Sequence, residues 1–433
     1  MSDSYILPNE LLEIIFNFCD IYTLSQISMV CRQFNKVAKH TLNKKSKHLF
    51  VSITNQKSKK FGERCKPLLS SYNSMYITYY NWIYAKYKTS KIYETEAGPK
   101  HCRVYQVGGK VYLNHERSNQ CLQMTKNTVW FCDDSNFLAY NRAKNGTIKK
   151  HQKIVKDNYT FIKSIAHCDD YIISGDEDGI IKRWKIKDEN DFECLKIHNV
   201  DEPIKLIDAT SQHIITSSEN IIRIMKYDDK NGCTEEKKIF FGFDMKRPKY
   251  DPSQPYISVK SISFDPIGTK FAAGSYCPIN YCQFLSSLLI YDIEKSYQVM
   301  DKKCEEYFRQ LLWEDPHTIL MCFDESIKKM DLRTSEFVRT WDSSKYVHSF
   351  CCSSDNMYTF MTGHFKCVLW DQRQSVAIQT YVENFDKITA IASLEFDSAR
   401  MYAVTCIGLY ELDFTGKDHF DHKEIKKIFG NFY

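Results

Sequence analysis

The 433-residue sequence predicts a mainly β chain, a seven-bladed ring of four-stranded units preceded by a small all-α unit. Three observations predict it. From about residue 101 to the end the chain reads as short alternating strands separated by turn residues. The ends of the most apolar strands recur as Leu138-Ala139-Tyr140-Asn141, Lys182-Arg183-Trp184-Lys185, Arg223-Ile224-Met225-Lys226, Leu289-Ile290-Tyr291-Asp292, Lys328-Lys329-Met330-Asp331, Val368-Leu369-Trp370-Asp371 and Tyr410-Glu411-Leu412-Asp413. Steps between their large residues are 44, 41, 66, 39, 40 and 42, the spacing of a propeller blade with one long insertion. Lastly, ILPNELLEIIFNFCDIYTLSQISMVCRQFNKVA, residues 6–38, carries more apolar side chains than so short a segment can hide.

In chain order, Pro8 suits the first position of a helix, where a missing N–H costs nothing. The helix that follows places Leu11, Ile15 and Phe18 on one stripe and Leu12, Phe16 and Cys19 on the next. Thr23 with Gln26 reads as a capping box for a second helix, which carries Leu24, Ile27, Val30, Cys31, Phe34 and Val37 through one bend or break. A surface helix of a small domain buries one apolar stripe; the second is surplus. Residues 49–100 read as a basic and aromatic helical linker; the basic run KKSKHLFVSITNQKSKKFGERCKP reads as a solvated face, with a localisation or nucleic-acid patch as the alternative. A ring of blades closes by pairing its last sheet with a strand from elsewhere in the chain. RVYQVGGKVYL, residues 103–113, is the expected closing strand, with the tail KEIKKIFGNFY as its competitor.

Composition excludes several classes. A formal charge of +5 is too near neutral to imply nucleic-acid binding. No run of 18 apolar residues suggests a membrane span, and MSDSYILPNE does not read as a signal peptide. The 17 scattered cysteines read as reduced, mostly buried thiols of an intracellular protein. No G-x-S-x-G, P-loop, H-E-x-x-H or zinc spacing occurs, so no catalytic residue, cofactor or metal is expected. Gly175-Asp176-Glu177-Asp178-Gly179 has carboxylates for a cation, but in register it is a hairpin turn.

The repeat resembles the WD-repeat family. Trp370-Asp371 preserves the pair that ends a repeat, while Trp341-Asp342 falls out of phase, on an outer strand. The Gly-His dipeptide is essentially absent, so the full Asp-His-Ser/Thr-Trp network is not expected. With such a ring downstream, the opening segment resembles an F-box through Leu7-Pro8, Leu11-Leu12, Ile15-Phe16, Leu24, Val30-Cys31 and Phe34. That resemblance implies docking of these residues on a Skp-type adaptor and, through it, on cullin and RING subunits of a ubiquitin ligase. A self-contained cap or a helix pair packed on the ring are the alternatives. Asn81-Trp82-Ile83-Tyr84-Ala85 is similar to the end of the helical linker in F-box/WD-repeat proteins, with Ala85 where glycine is common. LLWEDPHTILMCFDESIKKMDLRTS, CVLWDQRQ and SLEFDSARMYAVTCIGLYELDF most resemble the dactylin-like branch. The implied organisation is an F-box at 1–48, a linker at 49–100 and a propeller at 101–433. The implied role is a non-catalytic substrate receptor in the cytoplasm or nucleus; a WD-repeat scaffold that delivers no substrate is the alternative.

Two features suggest where a target would bind. Insertions at 242–256 and 276–286 are expected as neighbouring loops on one face; lineage-specific decoration is the bland reading. Stacking the innermost strands as Ile162-Lys163-Ser164-Ile165, Ile204-Lys205-Leu206-Ile207, Val259-Lys260-Ser261-Ile262, Phe308-Arg309-Gln310-Leu311, Val347-His348-Ser349-Phe350 and Ile388-Thr389-Ala390-Ile391 aligns Lys163, Lys205, Lys260, Arg309 and His348. Equivalent repeat positions share radius and height, so these five would form a basic arc facing an acidic or phosphorylated peptide. Solvated side chains at the rim are the alternative.

Overall fold

The computed structural model describes residues 7–19, 21–49, 64, 72–94, 103–107, 110–114, 121–133, 136–156, 161–188, 191–228, 232–240, 258–280, 283–304, 306–342, 351–354, 357–363, 366–382, 391–405 and 407–416. Helix α1 spans Asn9–Asn17 with Pro8 at its N-cap, whose carbonyl accepts the Leu12 amide at 3.1 Å. Helix α2, Ile21–Ser28, starts two residues before Thr23, which therefore lies inside its first turn. The expected break follows, and α3 runs Arg32–Leu49. The Asn35 amide caps that break by donating to Ser28 O at 2.9 Å.

Helix α4, Tyr72–Ile83, joins the two halves of the molecule. Ile77 packs into the helical core with Leu12, Phe16, Leu24, Val37, Ala38 and Leu42. One turn later Trp82 is fully buried in the propeller, stacked on Phe414 at 3.5 Å, its indole N–H donating to Ser398 O at 3.0 Å. Asn81 Nδ2 donates to Phe414 O at 2.7 Å and to Gly416 O at 2.9 Å. The Tyr381 hydroxyl and the Gln379 amide cap the carbonyls of Trp82 and Ile83, each at 2.7 Å. The helix ends at Ala85 in the left-handed region, φ 49°, which explains why glycine suits this position.

Seven four-stranded antiparallel sheets follow. They lie at 122–156, 162–199, 206–240, 258–304, 308–342, 351–382 and, for the seventh, 391–413 with one strand from upstream. The first strand of each sheet contacts the first strands of its neighbours and lines the central axis. Closure differs from the sequence expectation. Lys88–Glu94, read as linker, pairs antiparallel with Gly408–Asp413 and supplies the outer strand of the seventh sheet. Residues 103–107 and 110–114 pair only with each other as a hairpin, and the competing tail lies outside the described residues. Lys88–Glu94 closes the ring because the chain enters the propeller directly from the Trp82 anchor. A Cβ at Gly408 would stand 1.9 Å from Tyr93 O, so the closing strand needs glycine there. The seam between first and seventh sheets buries an Arg142–Asp397 ion pair, and Arg400 donates to Asn145 O at 2.6 Å.

Where a loop was expected, residues 276–280 and 283–286 lengthen a β-hairpin, with Tyr276 opposite Ser286 and Asn280 opposite Gln283. The other insertion, 242–256, lies outside the described residues. Trp341 sits on the outer strand Glu336–Asp342, as expected, and donates to Gln374 O at 2.8 Å in the next blade. Residues 175–179 form a tight turn in which Asp176 Oδ1 accepts the Asp178 and Ile180 amides at 3.1 and 2.8 Å and Gly179 takes φ 77°. Among the described residues no three His, Cys, Asp or Glu side chains gather as a metal site, and no helix is long and apolar enough to cross a membrane.

Candidate functional sites: an apolar helical face and a basic rim

The two stripes of α1 divide as their spacing requires. Leu12 and Phe16 are buried at 2% exposure. Leu11, Ile14, Ile15 and Phe18 stand out at 47%, 56%, 48% and 88%. Leu7, Met29 and Val30 extend this face, and Pro8 and Cys31 are exposed beside it. Gln33 Nε2 pins the segment by donating to Leu7 O at 2.9 Å and Asn9 Oδ1 at 3.1 Å. Full burial of one such side chain stabilises by roughly 1.5–3 kcal/mol, so the face holds a large unused driving force for association.

Of the expected docking residues, Leu7, Pro8, Leu11, Ile15, Val30 and Cys31 are available for contact. Leu12, Phe16 and Leu24 are not: they form the unit's own core together with Val37, Ala38, Leu42 and Ile77. Phe34 is half-buried, its ring edge-on to Phe16 at 5.5 Å. Ile14, Phe18 and Met29 complete the face and were missing from the expected set. Phe18 was legible on the outer stripe, and Ile14 lies three residues from Leu11 on the same side.

At the propeller the cations share a specific backbone device. The register of the first two strands slips between Ile162 and Ser164, between Val259 and Ser261, and between Phe308 and Gln310. Lys163, Lys260 and Arg309 are the extra residues of these bulges, which turn them out of the ladder. Lys205 precedes its strand, its amide donating to Ser217 O at 2.8 Å. The residue after each bulge reaches the next blade: Ser164 Oγ accepts the Ile207 amide and Ser261 Oγ the Leu311 amide, both at 3.1 Å.

This register corrects the stacking in the seventh blade. In the seventh blade the slip falls between Ile391 and Ser393, so Ala392, not Thr389, is in step with Lys260. Gln310 Oε1 accepts the Cys352 amide at 2.8 Å, as Ser261 accepts that of Leu311. His348 lies outside the described residues. Among the described residues the basic arc is Lys163, Lys205, Lys260 and Arg309, on four consecutive blades.

Three of the four cations face an acid of their own blade. Lys163 pairs with Glu177 at 2.9 Å, Lys205 with Glu219 at 3.3 Å, and Arg309 with Asp324. Glu177 and Asp324 occupy one repeat position, the residue after the second strand's partner of Ile162 and Phe308, and Glu219 lies two residues beyond Ser217, the partner of Leu206. In the fourth blade Val259 pairs with Ser275, so the matching residue is Tyr276. Lys260 Nζ lies over the Tyr276 ring, 5.6 Å from its centroid, and Tyr307 packs against Tyr276 at 4.3 Å. Arg309 caps the Tyr307 ring at 4.1 Å. Burial, then Arg309 and Lys205, pushes the Lys260 amine down to about 8. Burial, then Tyr307, pushes the Tyr276 hydroxyl up to about 12.

Residues 5–46 match the F-box domain family. No curated protein sequence matches the chain. Among solved structures, the WD40 β-propeller domain of Doa1 aligns with a TM-score of 0.50 at 11% identity, over 71% of this chain and 96% of that one. A chain of the mitotic checkpoint complex aligns at 0.49 and 12%, over 69% of this chain and 85% of its own. The Doa1 likeness extends to the fold alone. The molecule therefore consists of an F-box domain at residues 5–46 joined through one anchored helix to a seven-bladed propeller of the WD40 fold.

Proposed function

We propose that this chain is the substrate-recognition subunit of a Skp–cullin–F-box ubiquitin ligase, with no catalytic residues of its own. The observation that carries the reading is the outward apolar stripe Leu11, Ile14, Ile15 and Phe18 within the F-box match, on a domain whose core is already complete without it. The Skp-type adaptor covers that stripe, and cullin and RING subunits follow through the adaptor. The propeller holds a target protein on the basic arc. Because Ile77 and Trp82 belong to one helix of 12 residues, adaptor and target are held at a set distance. Positioning of this kind raises the effective concentration of target lysines at the ubiquitin-charged enzyme, which performs the chemistry. The dactylin-like resemblance of the later blades suggests the same class of receptor, working in the cytoplasm or nucleus without nucleic acid or membrane.

Co-purification of the full chain with a Skp-type adaptor, wild type beside Ile15→Asp, tests the adaptor half. Stoichiometric binding by the wild type and its loss in the variant, with an unchanged unfolding curve, are the expected results. No binding by the wild type would return the helices to a structural cap.

A further inference from the structure

The arc is more selective than its four charges suggest. A ring of bare cations would attract any polyanion. Here Glu177, Glu219 and Asp324 already neutralise Lys163, Lys205 and Arg309. Among the described residues no carboxylate reaches Lys260, because its blade carries Tyr276 where the others carry an acid. We propose that Lys260, set over Tyr276 with Tyr307 packed against that ring, is the docking point for a single carboxylate side chain of the target, which takes the place of the acid the fourth blade lacks.

This rests on the receptor reading above and specifies its ligand. One uncompensated cation matches one negative charge. A phosphate dianion would leave a surplus charge in a partly desolvated site that already faces Glu219 and Asp324 through their partners. The tyrosines suit the same ligand: their rings cover the methylene stem of a glutamate while its head meets the amine. The charged and titratable groups around the amine are Lys205 with Glu219, Arg309 with Asp324, Tyr276 and Tyr307. Both neighbouring cations favour loss of the Lys260 proton, and a bound carboxylate reverses that preference. Docking is therefore strongest below about pH 8 and fades as the amine deprotonates above it.

Trace acetylation of the full chain, read lysine by lysine by mass spectrometry from pH 6 to 11, tests this directly. The probes are acetyl-Gly-Glu-Gly-amide, the same peptide with glutamine, and the same peptide with phosphoserine, each at about 10 mM. At that concentration a Kd of about 1 mM reads as a midpoint rise of about one pH unit. With the glutamate peptide, Lys260 labelling should fall at least threefold at pH 7.5 and its midpoint should rise by about one pH unit. Lys163, Lys205 and the glutamine peptide should show no such change. Tyr276→Glu should raise the midpoint without any peptide and abolish the response, while Tyr276→Gln keeps it. An unchanged Lys260, an equal response to glutamine, or protection by phosphoserine at a tenfold lower concentration would each overturn the proposal. The readout does not involve the adaptor, so its failure and a failure of adaptor binding are separate results.

Discussion

The helical face and the propeller rim solve opposite problems. On α1 a whole stripe of large apolar side chains is left facing water, although an equally apolar stripe beside it is buried. On the rim, four cations stand where a ligand could reach them, yet three are matched by acids from the same blade. A surplus with no partner among the described residues marks the first surface as an interface. On the second surface it is the one missing counterion that carries information. Surface ion pairs of the rim kind contribute about 0–1 kcal/mol each, so their role is to withhold charge from passing anions more than to hold the fold.

The sharpest way to break this comparison is to put a charge on each stripe of α1. Leu12→Asp should abolish cooperative folding of the helical unit and with it adaptor binding, because an unpaired carboxylate replaces a fully packed side chain. Phe18→Asp should lose adaptor binding while stability, followed by urea unfolding, stays within about 0.5 kcal/mol. Equal destabilisation by both would mean that the outer stripe is packed in solution.

Next in size, Trp82→Ala should cost about 3–5 kcal/mol in propeller stability, from the lost stacking on Phe414 and the orphaned Ser398 carbonyl. It should also let limited proteolysis separate the helical unit from the ring, whereas wild type stays joined.

Lys260→Met sharpens the rim side. The native amine has its midpoint near 8, below the ordinary 10.5, so the native state binds fewer protons than the unfolded chain between those values. Stability of the wild type should therefore rise with pH from about 8 to 10.5, and that rise should be absent in the variant. Guanidinium unfolding at pH 7.5, 9 and 10.5 decides it; parallel slopes in the two proteins would place the amine in water.

The smallest effect is at the junction. Ala85→Gly relieves a left-handed alanine but loosens the unfolded chain, and should gain at most about 1 kcal/mol in thermal or urea unfolding. A loss would mean the alanine methyl packs usefully against the propeller.

The blade period and the two stripes of α1 were legible in the sequence, because both are local. A strand alternates with period two, and a helix brings residues three and four apart together, whatever lies elsewhere. Seven recurring apolar ends thus yielded seven sheets, and Leu11, Ile15 and Phe18 fell on one side with Leu12 and Phe16 on the other. Long-range pairing decided the rest. Lys88–Glu94 closes the ring against Gly408–Asp413, more than 300 residues away, and no local pattern in KTSKIYE distinguishes it from RVYQV. The bulges at Lys163, Lys260 and Arg309 set which residue of each inner strand faces the rim, which is why Ala392 displaced Thr389. Which of the two α1 stripes is buried depends on where α3 and α4 pack, and which cation stays open depends on a residue some 15 positions downstream that only the hairpin brings alongside. Composition and periodicity specify elements and their faces; the availability of a side chain is a property of its neighbours, and those are assigned only when the ring closes.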